Sequence, residues 1–279
     1  MRLLRVILLL GVLLAAMACN SGQSAVPQGS GLSGNWQIAL NGTSPSIVFT
    51  GFLIQSGGSV TGSLLLALTS NCSGVGSVTG TGTGQNVSGI VNGQNVSLNI
   101  NQSGAIIGLT GTAALSTGAS MSGDFTSQPG ACDSIPTSGT WSAVQIAPVS
   151  GDFQGSFTSS SGNGIVMVQG SLNQGPNTAN STATLSGTLA TTSGATFCSY
   201  LLPGTITGLI SGTDVQLNLY GENGLQYAQL GAAGKPGVSV SANGESLTGS
   251  YLFSGILGSP CPGDQGNFNL TLSSTLSSP

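Results

Sequence analysis

The chain has 279 residues, of which 4% are charged, 39% are hydrophobic and 46 are glycine. Ordinary soluble domains carry roughly 25% charged residues, and disordered chains combine high charge with few apolar residues, so this composition indicates a folded protein with an almost uncharged surface. The chain has only three Lys and Arg residues. These are too few to neutralise a phosphate backbone, which excludes a nucleic-acid partner.

The first 18 residues have the pattern of a signal peptide. Arg2 and Arg5 precede the apolar run 6–14, which is too short to cross a bilayer, and small residues follow it. The segment Ala16-Met17-Ala18-Cys19 resembles the lipobox of bacterial lipoproteins. The resemblance implies cleavage before Cys19 and attachment of a diacylglycerol to its thiol. The alternative is an ordinary secretory peptide that is cut nearby.

The resemblance to lipoproteins also implies a location. Lipoproteins retained at an inner membrane often carry Asp after the modified cysteine, whereas this chain has Asn20. We therefore expect an exported protein that is held at the cell envelope, on the outer membrane, by the lipid on Cys19. Residues 19–31 are rich in Ser, Gly and Gln, which predicts a flexible tether between this anchor and the folded part. No protein partner can be named.

The folded part begins with Gly34-Asn35-Trp36. This tripeptide resembles the Gly-x-Trp start of lipocalins and avidins, and the resemblance implies an up-and-down β-barrel of the kind that holds a small ligand. Apart from this resemblance, Trp36 is a candidate for ligand contact because its ring could stack on a sugar or line a pocket. The competing interpretation is packing, because aromatic residues dominate small β-cores.

Period-2 alternation of polar and apolar residues recurs along the chain. Residues 95–101 and 214–220 alternate cleanly, as half-buried strands do. Asn92-Gly93 and Ser211-Gly212 lie between apolar-patterned runs and predict hairpin turns. No stretch after the tether has helical periodicity, so we predict an all-β protein of antiparallel meanders with roughly seven to nine strands per domain.

Glycine recurs after Ser or Thr inside the predicted strands. The dipeptides are Thr61-Gly62, Ser88-Gly89, Thr110-Gly111, Ser186-Gly187, Thr207-Gly208 and Thr248-Gly249. Glycine weakens a flat strand, but it permits the sharp coiling that closes a small barrel. This pattern favours barrel-like domains, with a β-sandwich as the alternative.

The chain repeats itself, with the repeated blocks in the same order. The matching blocks are 33–37 with 150–154, 47–48 with 165–166, 60–63 with 185–188, 87–100 with 206–219, and 121–125 with 247–251. The repeat predicts two tandem copies of one β domain, over residues 32–147 and 148–276.

Four cysteines follow the same repeat. Cys72 and Cys132 occupy places in the first copy that correspond to Cys198 and Cys261 in the second. Four cysteines allow three pairings, and the duplication selects Cys72–Cys132 and Cys198–Cys261. Export to an oxidising compartment permits such disulfides. A metal site is the rival interpretation, but the chain has no His and no Cys-x-x-Cys, so we expect neither metal nor cofactor.

The residues for ordinary catalysis are missing. Without histidine there is no Ser-His-Asp or Cys-His arrangement. Two carboxylates flanking one bond would suffice for a glycosidase, but the seven acids are spread over both copies and are typical turn and cap residues. We therefore predict that the protein is not an enzyme.

Two functions remain. Tyr220 and Tyr227 flank the turn-like segment 221–224 and, with Trp36, are the candidates for ligand contact. They favour a non-enzymatic binding module for a small or glycan-like ligand. The alternative is a structural or adhesive surface protein without an enclosed ligand, which the nearly uncharged Ser, Thr, Asn and Gly surface favours.

Overall fold

The computed structural model shows two closed antiparallel β-barrels in tandem. The residues that the structure describes are 31–41, 47–66, 85–92, 94–102, 105–115, 119–128, 137–177, 181–194, 204–222, 224–231, 237–253 and 263–273. The described residues contain only strands and their connections, so no helix there is long and apolar enough to cross a membrane.

Barrel 1 has eight strands, each paired with its neighbours in the chain, and it closes through β1 and β8. Its strands are β1 Gly34–Asn41, β2 Ile47–Ser56, β3 Ser59–Leu66, β4 Gln85–Asn92, β5 Asn95–Gln102, β6 Ala105–Ala114, β7 Ser120–Ser127 and β8 Ser138–Ile146.

Barrel 2 has nine strands in eight positions. They are β9 Gly151–Ser159, β10 Ile165–Gln174, β11 Ala183–Gly194, β12 Gly204–Ser211, β13 Asp214–Tyr220, β14 Gln226–Leu230, β15 Val238–Val240, β16 Ser246–Phe253 and β17 Gln265–Ser273. Both β14 and β15 pair with β13 and β16, so together they fill the place that β6 fills in barrel 1. The predicted tandem of barrel-like meander domains is confirmed, and the sandwich alternative is wrong.

The alternation in the sequence is the alternation of burial in the barrels. In β13, Val215, Leu217 and Leu219 are buried, while Asp214 and Gln216 are exposed. A closed barrel has one face toward its interior, so alternate residues form the core and the others face solvent.

The two barrels share their register and even their side-chain hydrogen bonds. The backbone N–H of Leu32 donates to the Gln55 side chain at 2.7 Å, and the N–H of Val149 donates to Gln174 at 3.0 Å. The backbone N–H groups of Gln55 and Gln174 in turn donate to the hydroxyls of Ser33 and Ser150, respectively. Equivalent bonds at equivalent positions support the duplication. Its signal in the sequence is the repeated Leu-x-Gln at residues 53–55 and 172–174.

One block of the sequence match is wrong by one residue. In barrel 1, Ile47 pairs with Leu40, whose equivalent in barrel 2 is Phe157. Phe157 pairs with Val166, so the equivalent of Ile47 is Val166 and not Ile165. Ile47 and Val166 are both buried, whereas Ile165 is 51% exposed. A shift of one residue moves a strand residue to the other face, so burial decides the alignment.

Glycines in the strands face large aromatic side chains on the neighbouring strands. The pairs are Trp36 with Gly51, Phe125 with Gly139 and Trp141 with Gly123 in barrel 1, and Phe153 with Gly170, Tyr251 with Gly266 and Phe268 with Gly249 in barrel 2. Each pair in barrel 1 has its counterpart in barrel 2. Glycine leaves the room that a ring needs inside a strongly coiled barrel, and the ring covers the exposed backbone.

The strand ends bear on the predicted disulfides. All five cysteines, and with them the predicted leader, tether and anchor, lie outside the described residues. Strands β3 and β7, which precede Cys72 and Cys132 in the chain, both end at the end of barrel 1 where β1 ends. Strands β11 and β16, which precede Cys198 and Cys261, end at the corresponding end of barrel 2. The predicted pairing within each barrel is therefore compatible with the strand topology.

Candidate functional site

The interior of barrel 1 is an apolar core. Trp36 and Trp141 are both fully buried. The indole N–H of Trp36 donates to the Leu32 carbonyl at 2.8 Å, and that of Trp141 donates to the Thr110 carbonyl at 3.1 Å. The rings are packed with Phe49, Phe125 and the aliphatic residues of the inward faces. An eight-stranded barrel is just wide enough to be filled by side chains, so these contacts favour packing as the role of Trp36.

The other two ligand candidates lie on different faces of the sheet. Tyr220 is half-buried, on the outward-facing row of β13. Tyr227 is the extra residue of a β-bulge, because Leu219 pairs with Ala228 while Tyr220 pairs with Gln226. Bulges re-aim side chains, and this one turns Tyr227 into the barrel, where it is 5% exposed. The structure therefore does not bring Trp36, Tyr220 and Tyr227 together.

Tyr227 belongs to a continuous series of rings inside barrel 2. It stacks on Phe253, which meets Tyr251 edge to face, and Tyr251 meets Phe157 in the same way. Phe157 stacks on Phe268. Centroid separations of 5.2–6.1 Å are those of favourable aromatic pairs. Burial raises the pKa of the Tyr227 hydroxyl to about 12.

The middle ring of the series, Tyr251, is hydrogen-bonded to a buried carboxylate. Asp264 is 4% exposed and accepts hydrogen bonds from Tyr251 Oη at 2.7 Å, Ser159 Oγ at 2.6 Å and Asn163 Nδ2 at 3.0 Å. Burial, with the hydrogen bond to Asp264, raises the pKa of Tyr251. None of the three basic residues of the sequence lies in the described ranges. Within those ranges the Asp264 carboxylate is therefore stabilised by the three neutral hydrogen-bond donors.

This network holds the β9–β10 turn. The Ser159 hydroxyl accepts the backbone N–H groups of Ser161 and Asn163 while it donates to Asp264. Ser160 donates to the Gln265 carbonyl through its hydroxyl. The polar groups of the cluster thus bond to one another and link the turn to the end of barrel 2. These hydrogen bonds anchor the turn.

A second polar cluster joins the two barrels. The Asn35 side chain, 2% exposed, donates to the Gly212 carbonyl at 2.8 Å and accepts the Gly212 N–H at 2.6 Å. Ser211 Oγ donates to Thr50 Oγ1 at 3.0 Å, and both side chains are buried. The hairpin turn between β12 and β13 is therefore docked on the outer wall of barrel 1. The Ser211-Gly212 pattern predicts that turn, but no local pattern in the sequence indicates its contact with barrel 1.

The exposed surface of β5 to β8, called here the β5–β8 face, is made mostly of short polar side chains. Cross-strand pairs continue from Ser97 through Thr110 and Asp124 to Thr140. Asp124 is its only charged residue. The exposed polar residues of the face are Asn95, Ser97, Asn99, Asn101, Thr110, Thr112, Ser120, Ser122, Asp124, Thr126, Ser138, Thr140 and Ser142, and its exposed apolar residues are Ile106 and Ala114. Hydroxyl and amide groups both donate and accept hydrogen bonds, so this surface can contact neutral polar polymers.

No metal centre emerges from the described ranges, where no group of three or more His, Cys, Asp or Glu residues could hold an ion. No protein-family model matches the chain, and no curated protein or solved structure is significantly similar to it.

Proposed function

We propose that the chain is an exported, lipid-anchored envelope protein that acts through the outer surface of its barrels as a non-enzymatic adhesive or structural module. The observation that supports this most is the packed interior of barrel 1. There, two tryptophans and two phenylalanines are fully buried. Asn35 and Thr50, the buried polar residues that the structure describes in barrel 1, contact barrel 2 instead of the interior.

The outer surface is the part that remains for contact with other molecules. The β5–β8 face presents thirteen short polar side chains, of which one is a carboxylate, and the apolar side chains of Ile106 and Ala114. A neutral, hydroxyl-rich polymer such as a glycan matches it, because the face offers a highly charged partner only the one carboxylate of Asp124. The lipid expected on Cys19 would hold this surface at the envelope.

Adhesion can be tested by pull-down on insoluble neutral polysaccharides with the protein displayed on liposomes through its lipid. We expect binding by the native chain and loss of binding when Thr110 and Thr140 are changed to Glu beside Asp124. The matched control changes Thr158 and Thr271, exposed in barrel 2, to Glu. Equal binding by both variants would place the contact elsewhere, and absence of binding by the native chain would contradict adhesion to glycans.

The second candidate is a small ligand held inside barrel 2, whose interior combines five aromatic rings with the Tyr251–Asp264 pair. Native mass spectrometry of protein extracted from its own membranes separates the two proposals. We expect the mass of the chain plus its lipid. A further discrete mass that is lost on unfolding would favour the enclosed ligand instead.

A further inference from the structure

The docking contact between the barrels combines polar and apolar groups. Asn35 matches both polar groups of the Gly212 backbone, as a neighbouring strand would. Around it, Phe52 and Ile146 of barrel 1 are buried in the core cluster of barrel 2, which also includes Val149 of the connection. Gly212 has a φ of +58°, and a Cβ there would lie 2.6 Å from the Thr50 side chain. The turn therefore fits this surface only with glycine.

The same surface of barrel 2 is built differently. By strand register, the equivalents of Asn35, Phe52 and Ile146 are Asp152, Ser171 and Ser273. Asp152 and Ser273 are exposed, and Ser171 is half-buried. The duplication thus gave both barrels the same wall, but only barrel 1 carries the amide and the apolar pair that hold a hairpin.

We propose that the wall of barrel 1 is a docking site for the Gly212 hairpin of the second repeat, and that the side chain at position 35 determines whether the hairpin docks. This docking couples the folding of the two barrels. Barrel 2 lacks this combination of residues. The buried amide is decisive because both polar groups of Gly212 would otherwise lie in the interface without partners. The inference is independent of what the outer surface binds.

The chain carries its own probes for a test. Both tryptophans of the sequence, Trp36 and Trp141, lie in barrel 1, and all four tyrosines follow residue 199. Tryptophan fluorescence therefore reports unfolding of barrel 1, and tyrosine second-derivative absorbance reports barrel 2. Coincident transitions by two probes indicate one cooperative unit.

We expect the two thermal transitions of the full native chain to coincide. Asn35→Asp places a carboxylate oxygen against the Gly212 carbonyl, and we expect the transitions to separate by about 5 °C or more. Asp152→Asn, the reciprocal change at the exposed equivalent position, is the matched control and should leave them coincident.

If Asn35→Asp does not fold, Thr50→Val removes only the hydrogen bond from Ser211 and should give a smaller separation in the same direction. Two results overturn the proposal. One is separate transitions in the native chain. The other is a folded Asn35→Asp or Thr50→Val variant whose two transitions coincide and have the same midpoint temperatures as the Asp152→Asn control.

Discussion

Gly123→Ala tests whether the paired glycines and aromatic rings are required for barrel closure. Gly123 pairs with Gly111 on β6 and with Trp141 on β8. A Cβ added at Gly123 would lie 1.9 Å from the Thr110 carbonyl oxygen and 2.5 Å from the Cα of Gly111. Both atoms belong to the backbone, so no side-chain rotation relieves the clash and β6 must move away from β7.

The magnitude has two parts. Overpacking of a barrel interior costs about 1–3 kcal/mol. The Thr110 carbonyl that must move also accepts the Trp141 indole N–H, and a buried donor left without its acceptor costs about 1–3 kcal/mol. Together these give roughly 2–6 kcal/mol, or a fall in Tm of about 5–20 °C for a domain of this size.

The assay is calorimetry, with tryptophan emission as a second readout of the unfolding of barrel 1. Gly237→Ala is the matched control, because Gly237 is exposed and an added Cβ there meets nothing within 4 Å. The control should melt within about 2 °C of the native chain, since such surface changes cost little. Equal melting temperatures for Gly123→Ala and Gly237→Ala would refute the role assigned to the paired glycines.

Three further predictions concern barrel 2 and the cysteines. Asp264→Asn leaves one of the donors Tyr251, Ser159 and Asn163 opposite an amide N–H, so the tyrosine-detected transition should lose about 1–3 kcal/mol; a melt identical to that of the exposed Asp152→Asn would contradict this. Because the pKa of Tyr227 rises from 10.0 to about 12 on folding, the stability from its protonated hydroxyl is complete below pH 10 and is lost as the pH rises toward 12. Alkaline absorbance titration checks this, and an unchanged titration in Tyr227→Phe would argue against it. Peptide mapping without reductant should find Cys72–Cys132 and Cys198–Cys261, and reduction should cost about 3–4 kcal/mol per bridge; a bridge between the barrels would exclude the predicted pairing.

Local pattern determined the fold class. Period-2 alternation is written into each strand, because successive side chains point to opposite faces, and residues 214–220 show it in both sequence and burial. The duplication was equally legible, since matching blocks keep their order whatever the fold. Its one error, at residues 165–166, arose because two adjacent apolar residues leave the face of the strand undecided.

Tertiary structure alone decided where the candidate site residues lie. Tyr227 reads as a loop residue until the bulge turns it inward. Asn35 and Gly212 are 177 residues apart, and Ser159 and Asp264 are 105 apart. Barrel closure and docking between barrels depend on the register of strands that are distant in the chain. The sequence therefore determined the strands and their repetition, whereas their three-dimensional packing decided which polar and aromatic side chains meet.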